Sequence, residues 1–195
     1  MTGLQTVLDE LKQCTLCADN FSHTPRPLFQ IEAGAQIAIY SQAPGNKAHQ
    51  SGVTFLDPSG VRLRQWLGVN EQMFYNPENF TIAPMAFCFP GYDKNGGDKP
   101  PPKSCARIWR KRLLSAMPKP ALTLLIGRYA QIWELQSSAK KTLTETVAAW
   151  REYGPDIIPL PHPSWRNNAW IKKHPWFEEE LLPHLRDRVA LLLKG

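Results

Sequence analysis

Long apolar segments are missing from this chain. The longest apolar runs, such as residues 121–126, are far too short to cross a lipid bilayer. Residues 1–20 carry Asp9, Glu10 and Lys12 among their apolar positions, so no secretory signal peptide is predicted. These absences argue against a membrane-spanning or exported protein, and we expect a cytoplasmic protein without a membrane partner.

Internal repeats and low-complexity tails are absent as well. A chain of 195 residues fits a single domain spanning 1–195, and nothing in it requires more than a monomer. The net charge of +6 favours a polyanionic partner, although charge alone is a weak indication of nucleic-acid binding. The 18 prolines cluster at 90–120 and 155–163, which predicts long, stiffened connections there.

Short apolar strands alternate with amphipathic helices along the chain. The strands are predicted at 36–40, 80–83, 121–126 and 157–160. The helices are predicted at 2–12, 59–67, 103–116, 128–135, 143–150 and 177–193, and the loops at 18–35, 46–58 and 89–102. The pattern predicts an α/β fold: a three-layer α/β/α domain with a short, four-stranded parallel sheet.

Two unusual segments directly follow predicted strands. Residues 41–45 come after the first strand, and residues 162–164 come after the last. Because ligands of open parallel sheets bind outside the carboxyl ends of the strands, both segments are candidates for a binding site. Taken alone, however, His162 between two prolines is better explained as a structural histidine that caps a turn.

Four cysteines are present, and a cytosolic protein rarely uses them as disulfides. Cys14 and Cys17 form a Cys-x-x-Cys pair, whereas Cys88 and Cys105 lie far downstream. Four thiolates suit either a zinc ion or an iron–sulfur cluster. Four unrelated buried cysteines remain the alternative, and the residues alone do not separate zinc from a cluster.

The stretch 41–63 resembles the first active-site motif of the iron–sulfur uracil-DNA glycosylases. In that family a strand ends in Gly-Glu-(Ala/Gly)-Pro-Gly; here the corresponding residues are Ser41, Gln42, Ala43, Pro44 and Gly45, and Gly52, Phe55 and Gly60 follow in register. The second motif of that superfamily, a strand followed by His-Pro-Ser, is similar to His162, Pro163 and Ser164. The cysteine layout is also similar, and the resemblance covers roughly residues 10–190.

The resemblance implies a DNA-repair glycosylase that flips a damaged nucleotide out of DNA and hydrolyses its glycosidic bond. It implies that Phe55 stacks on the base, that His162 hydrogen-bonds the base, and that the main chain of Gln42 and Ala43 contacts the base and holds a water. The other implied substrate contacts are Pro44, Gly45, Ser164, Trp165 and Arg166. It further implies a [4Fe-4S] cluster, with zinc less favoured, held by Cys14, Cys17, Cys88 and Cys105.

Phosphate contacts are then expected on the basic helix at 103–116, from Lys103, Arg107, Arg110, Lys111 and Arg112. A basic helix is more often only a solvated face. Trp109 on this helix is expected in the core. For Trp165, Trp170 and Trp176, the alternative to DNA contact is that they simply pack the carboxyl-terminal segment.

The sequence departs from the family pattern at three places. Gln42 replaces a Glu, residues 46–49 replace an acidic stretch, and Pro84 stands where the second strand usually presents an Asn. Three functions are therefore open: a uracil glycosylase, a glycosylase for another damaged base, and a DNA-binding relative without catalysis. An unrelated α/β protein whose cysteines bind zinc is the remaining alternative.

Overall fold

The computed structural model describes residues 3–194. Four strands form one entirely parallel sheet in the order β2-β1-β3-β4. They are β1 (Ile37–Tyr40), β2 (Phe80–Ile82), β3 (Leu122–Ile126) and β4 (Ile157–Leu160). The predicted α/β fold with a short, four-stranded parallel sheet is confirmed.

Ten α-helices surround the sheet in the described part of the chain. They are α1 (Gly3–Lys12), α2 (Asn46–Ser51), α3 (Pro58–Leu67), α4 (Glu71–Tyr75), α5 (Lys103–Ala116), α6 (Arg128–Leu135), α7 (Leu143–Ala148), α8 (Trp150–Tyr153), α9 (Asn168–Lys173) and α10 (Leu182–Leu192). Short 3-10 turns lie at Ala18–Asn20, Gln136–Ser138 and Trp165–Asn167, and a π-helical turn at Phe177–Leu181 leads into α10. Thr2, the first residue of the predicted amino-terminal helix, lies outside the described residues.

Both faces of the sheet are covered. Successive residues of a strand point to opposite faces, and in β1 this puts Ile37 and Ile39 on one face and Ala38 and Tyr40 on the other. The first face packs against α3 and α10, and the second packs against α5 and α6. The predicted three-layer arrangement is thereby confirmed.

Residues 46–58, predicted to be irregular, begin with a helix instead. Gly45 provides an extended residue before α2, and Gly52 ends the helix in the left-handed region with φ of 80°. The guanidinium of Arg26 donates hydrogen bonds to the carbonyls of His49 and Gln50 at 2.8 and 3.1 Å. A helix this short has no clear apolar period, and the free carbonyls at its carboxyl end are hydrogen-bonded by Arg26, which is distant in sequence. The sequence therefore did not predict it.

Three further helical segments differ from the predictions. α4 was missed; it begins after Asn70, whose side chain accepts a hydrogen bond from the Met73 amide at 2.8 Å. α9 was missed as well, and the helix predicted at 143–150 breaks between α7 and α8. Among the described residues, no helix is long and apolar enough to cross a membrane.

Candidate active site

A cleft of about 700 Å³ opens at the carboxyl ends of the strands. The connection after β1 leads to β2 on one side of β1, and the connection after β2 leads to β3 on the other side. The strand order therefore reverses at β1, and ligands of open parallel sheets bind at such a switch point. All nine residues predicted from the sequence as catalytic or substrate-binding line this cleft: Gln42, Ala43, Pro44, Gly45, Phe55, His162, Ser164, Trp165 and Arg166.

The turn after β1 is fixed by main-chain hydrogen bonds to the segment after β2. The amide of Met85 donates to the Ser41 carbonyl at 2.8 Å, and the amide of Ala86 donates to the Gln42 carbonyl at 3.0 Å. The Gln42 side chain packs against Gly127, where an added Cβ would lie 3.0 Å from Nε2. The Gln42 carbonyl is therefore already used by the protein, and its side-chain amide is held near the start of α6.

Phe55 is held in a strained position on one wall of the cleft. Its φ of 57° lies in the left-handed region, which bulky residues rarely adopt, and residues strained in this way cluster at functional sites. Its ring packs edge-on against Phe74, with ring centroids 6.2 Å apart. The Tyr75 hydroxyl donates to the Thr54 carbonyl at 3.1 Å, which fixes the preceding residue. Phe55 thus lines the cleft on a backbone that its surroundings force into place.

The absence of a side chain at Gly60 permits this arrangement. A Cβ at Gly60 would lie only 1.6 Å from the carbonyl oxygen of Phe55. No small adjustment removes an overlap of that size with a main-chain atom. The glycine five residues after Phe55 is therefore required because the main chain of Phe55 occupies the space that a side chain would need.

His162 follows β4, and its loop is anchored on both sides. Asn167 Nδ2 donates to the His162 carbonyl at 2.7 Å, and the Arg62 guanidinium donates to the Ser164 carbonyl at 3.0 Å. Burial lowers the pKa of His162, while the nearby Asp57 carboxylate raises it and Arg166 lowers it. The imidazole is thus neutral at physiological pH, and within residues 3–194 no protein group hydrogen-bonds to its ring.

The segment after His162 reaches solvent. The side chain of Trp165 is 69% exposed, and the Arg166 guanidinium lies 5.5 Å from the centre of its ring. The Ser164 hydroxyl accepts a hydrogen bond from the Arg166 amide at 3.3 Å and so caps the short 3-10 turn. Trp170 and Trp176, in contrast, pack against each other and the core, with ring centroids 5.8 Å apart.

Two carboxylates in the cleft were not identified from the sequence. Asp57 Oδ1 accepts a hydrogen bond from the Gly60 amide at 2.9 Å and caps α3. Asp98 reaches the cleft from the loop between β2 and α5, and partial burial raises its pKa. The Asp57 cap, three residues before Gly60, is a signal that the sequence contains. Asp98 lies in a Pro/Gly-rich loop, and no sequence pattern predicts in which direction a side chain of such a loop points.

Pro84 lines the cleft, as its place in the family pattern implied. Asn76 and Asn79, the nearest asparagines in sequence, do not line it; they form hydrogen bonds within their own loop, to Glu78 N and Met73 O. Neither of these asparagines therefore supplies a side chain to the cleft.

One predicted phosphate contact is wrong. Arg110 is 1% exposed, pairs with Glu134, donates to the Ala83 carbonyl at 3.0 Å and lies over the Tyr40 ring. It joins α5 to the ends of β1 and β2 and cannot reach DNA. Ala106, Arg110 and Leu113 recur at helical spacing on the buried face of α5, so the sequence did contain a signal for this.

The other basic residues of α5 are exposed, but none of them lines the cleft. Lys103, Arg107 and Lys111 are solvated, and Arg112 pairs with Glu10 at 2.5 Å. Trp109 is buried, as expected. The cations that line the cleft are Lys47, Lys99 and Arg166.

All four cysteines line a second, much smaller cavity of about 20 Å³. It lies between the end of α1, the segment after β2 and the start of α5, and its other lining residues are mostly apolar, including Leu11, Phe87 and Trp109. Among residues 3–194, no group of three or more His, Cys, Asp or Glu side chains is arranged to hold a metal ion.

Burial shapes the chemistry of these thiols. Burial and the neighbouring cysteines raise the pKa of Cys88 to about 12, and burial raises that of Cys105 to about 11. Hydrogen bonds from the main chain of Arg26 to Cys88 and of Phe87 to Cys105 act in the opposite direction and favour the thiolates. Without a cation in the cavity these thiols stay protonated at neutral pH.

A model of the uracil DNA glycosylase superfamily matches residues 29–186. The chain belongs to the uracil DNA glycosylase superfamily. The match covers the cleft, the β-sheet and two of the four cysteines, Cys88 and Cys105. Proteins of this superfamily are DNA glycosylases, for which DNA is the substrate.

A solved structure is also similar to this chain. The solution NMR structure of a candidate uracil DNA glycosylase from Methanosarcina acetivorans is 17% identical to it, with a TM-score of 0.49. The similarity covers 84% of this chain and 97% of that one.

Proposed function

We propose that the protein is a uracil-DNA glycosylase that hydrolyses the bond between uracil and deoxyribose in DNA. The observation that carries the proposal is the meeting of three separate segments in one cleft: the Gln42–Gly45 turn, Phe55, and His162 with its following loop. The Gln42–Gly45 turn and Phe55 precede His162 by more than 100 residues in the sequence, and all three segments meet at the carboxyl ends of the strands, where ligands bind.

The residues of the cleft suit the charges that develop in this reaction. Breaking the C1′–N1 bond leaves positive charge on the sugar and negative charge on the departing base. A neutral His162 in a largely buried site donates a hydrogen bond to the uracil O2 and stabilises the leaving anion. Phe55 stacks on the flipped base, and Trp165 and Arg166 at the exposed rim contact the strand.

A [4Fe-4S] cluster held by Cys14, Cys17, Cys88 and Cys105 belongs to the same proposal. All four side chains line one cavity, and main-chain hydrogen bonds favour two of them as thiolates. In a cluster each cysteine binds a different iron atom, so four thiols need not converge on one point as they do around zinc. When bound, the cluster would join the segment after α1, the segment after β2 and the start of α5, and none of its four cysteines lines the cleft.

Excision from a labelled single-stranded oligonucleotide with one uracil tests the proposed activity, with the abasic product revealed by alkali. The anaerobically purified protein is expected to release uracil. His162→Ala is expected to slow excision about 100-fold or more, because a buried donor to the leaving group is lost. His184→Ala is the matched control, since His184 lies on α10 and does not line the cleft. No excision by folded wild-type protein would contradict the proposal.

A glycosylase for a different damaged base is the second candidate, and Pro84 favours it. Proline offers no side-chain hydrogen bond to distinguish uracil from other bases, and Pro84 lines the cleft. The same assay with hypoxanthine, xanthine and oxidised pyrimidines in place of uracil separates the two. Faster release of one of these bases than of uracil would favour the second candidate.

A further inference from the structure

Asp98 brings a carboxylate to the mouth of the cleft from a loop that the sequence motifs do not include. Its Oδ2 lies 3.4 Å from the position that a Cβ on Gly45 would occupy, so the carboxylate packs against the end of the turn after β1. Asp98 also lines the cleft with Gln42 and His162. This carboxylate is therefore next to the turn that contacts the base.

The backbone around Asp98 is held in place rather than free. Asp93 Oδ1 accepts hydrogen bonds from the amides of Asn95 and Gly97 at 2.8 and 3.0 Å. The Lys99 amide donates to the Gly91 carbonyl at 2.9 Å, and the Asp93 amide donates to the Gly97 carbonyl at 2.7 Å. These bonds close the loop on both sides of Asp98 and fix the direction in which its side chain leaves the chain.

The chemistry of the cleft requires a group that this turn does not supply. The attacking water must lose a proton, and the amide of Gln42 cannot accept one. Only Asp57 and Asp98 among the cleft-lining residues carry a carboxylate. Asp57 uses Oδ1 to cap α3, whereas no described protein group hydrogen-bonds to the Asp98 carboxylate.

Asp98 is a stronger base than an ordinary aspartate, chiefly because it is partly buried. Partial burial and the carboxylates of Asp57 and Asp93 raise its pKa, and Arg166 opposes them. The side chain remains accessible to water at the cleft mouth. The other titratable residues that line the cleft are Lys47, Lys99, Tyr129 and His162.

We propose that Asp98 is a catalytic residue of the cleft, the general base that takes a proton from the attacking water. This inference rests on the proposed glycosylase function. As the C1′–N1 bond breaks, its electron pair leaves with the base, whose anion is stabilised by His162. The water oxygen bonds to C1′, and the water proton passes to the Asp98 carboxylate. Asp98 then returns that proton to solvent, and the base anion takes one up, so one water yields one free base and one abasic site.

Single-turnover excision of uracil from a single-stranded oligonucleotide tests this role in Asp98→Asn. The expected result is a loss of about 100-fold or more, the usual contribution of a general base. Binding of an uncleavable 2′-fluoro-deoxyuridine oligonucleotide should stay within a few-fold of wild type, and added formate should restore part of the rate. Asp187→Asn is the matched control: it makes the same substitution at an exposed residue of α10 that does not line the cleft, and it is expected to retain near wild-type rates.

Three results would overturn the inference. An Asp98→Asn rate close to wild type would do so alone, and would leave the proposed function intact. A large loss in Asp57→Asn without one in Asp98→Asn would assign the base to Asp57 instead. Absence of uracil excision by folded wild-type protein would overturn the proposed function, and this inference with it.

Discussion

The cleft and the cysteine cavity are built in opposite ways. The cleft is wide, reaches solvent, and is shaped by main-chain hydrogen bonds and by close approach at Gly60 and Gly127. The cysteine cavity is small and mostly apolar, and burial keeps two of its thiols, those of Cys88 and Cys105, protonated in the absence of a cation. The geometry of the cleft is therefore set by contacts within the chain, whereas the proposed role of the cavity requires a bound cluster.

The largest expected effect comes from changing the steric basis of the cleft. Gly60→Ala places a Cβ 1.6 Å from the Phe55 carbonyl oxygen, so α3 or the Phe55 segment must move. We expect a loss of about 4 kcal/mol in the free energy of unfolding, measured with urea, together with loss of excision. Gly34→Ala is the control, because an added Cβ there meets nothing within 4 Å. Equal stability of the two variants would contradict this account of the cleft.

Removing a ligand of the cavity is expected to have the next largest effect. Cys88→Ser should lower the iron content and reduce the free energy of unfolding by about 3 kcal/mol. The reason is that only the folded chain forms the proposed site, so the free energy of cluster binding adds to the stability of the folded state. Excision by the remaining folded protein should change only slightly, because no cysteine lines the cleft. Iron analysis and urea unfolding check the first two effects.

The control for that variant lies within the Cys-x-x-Cys turn. The Leu16 side chain is 64% exposed and does not line the cavity, so Leu16→Ser should keep full iron content. Full iron content in Cys88→Ser would remove Cys88 from the proposed ligands. Zinc in place of iron in the wild-type protein would contradict the cluster.

Features that depend on local sequence patterns were predictable, whereas features that depend on contacts within irregular loops were not. Continuous apolar runs such as β3 predicted the parallel sheet, and the motifs around Phe55 and His162 predicted residues that line the cleft. Asp98 was not predictable, because its direction depends on hydrogen bonds that close an irregular loop. The prediction for Arg110 was wrong because Arg110 shares with Ala106 and Leu113 the helical spacing of the buried face of α5.

A smaller effect is expected on the titration of His162. In Asp57→Asn the α3 cap is kept, because asparagine also caps helices, but the carboxylate that raises the pKa of His162 is lost. The His162 pKa should therefore fall further below its ordinary value of 6.5, as followed by NMR of the imidazole protons. A rise, or no change, would show that Asp57 does not act on His162.

The sign of the stability effect follows from the same pKa shift. Burial favours neutral His162 in the folded state, so the unfolded chain binds the proton more readily once the pH falls below 6.5. The stability contributed by the neutral form is present above that pH and is lost as the pH decreases toward the folded pKa. Asp57→Asn should deepen this loss, whereas His162→Gln should remove it.

The smallest expected effect concerns the charge of the cleft rather than its shape. Lys47 is exposed and lines the cleft, so Lys47→Gln should remove one phosphate contact and reduce the salt dependence of single-stranded DNA binding by a slope of about 0.7. Lys119 is the matched control, because it pairs with Asp156 at 2.8 Å. Both residues precede strands, β3 and β4, and so lie at the amino ends of the strands, away from the cleft. Lys119→Gln should leave the slope unchanged, because an exposed ion pair far from the cleft contributes little. Equal slopes for the two variants would mean that DNA does not follow the cleft edge of the sheet.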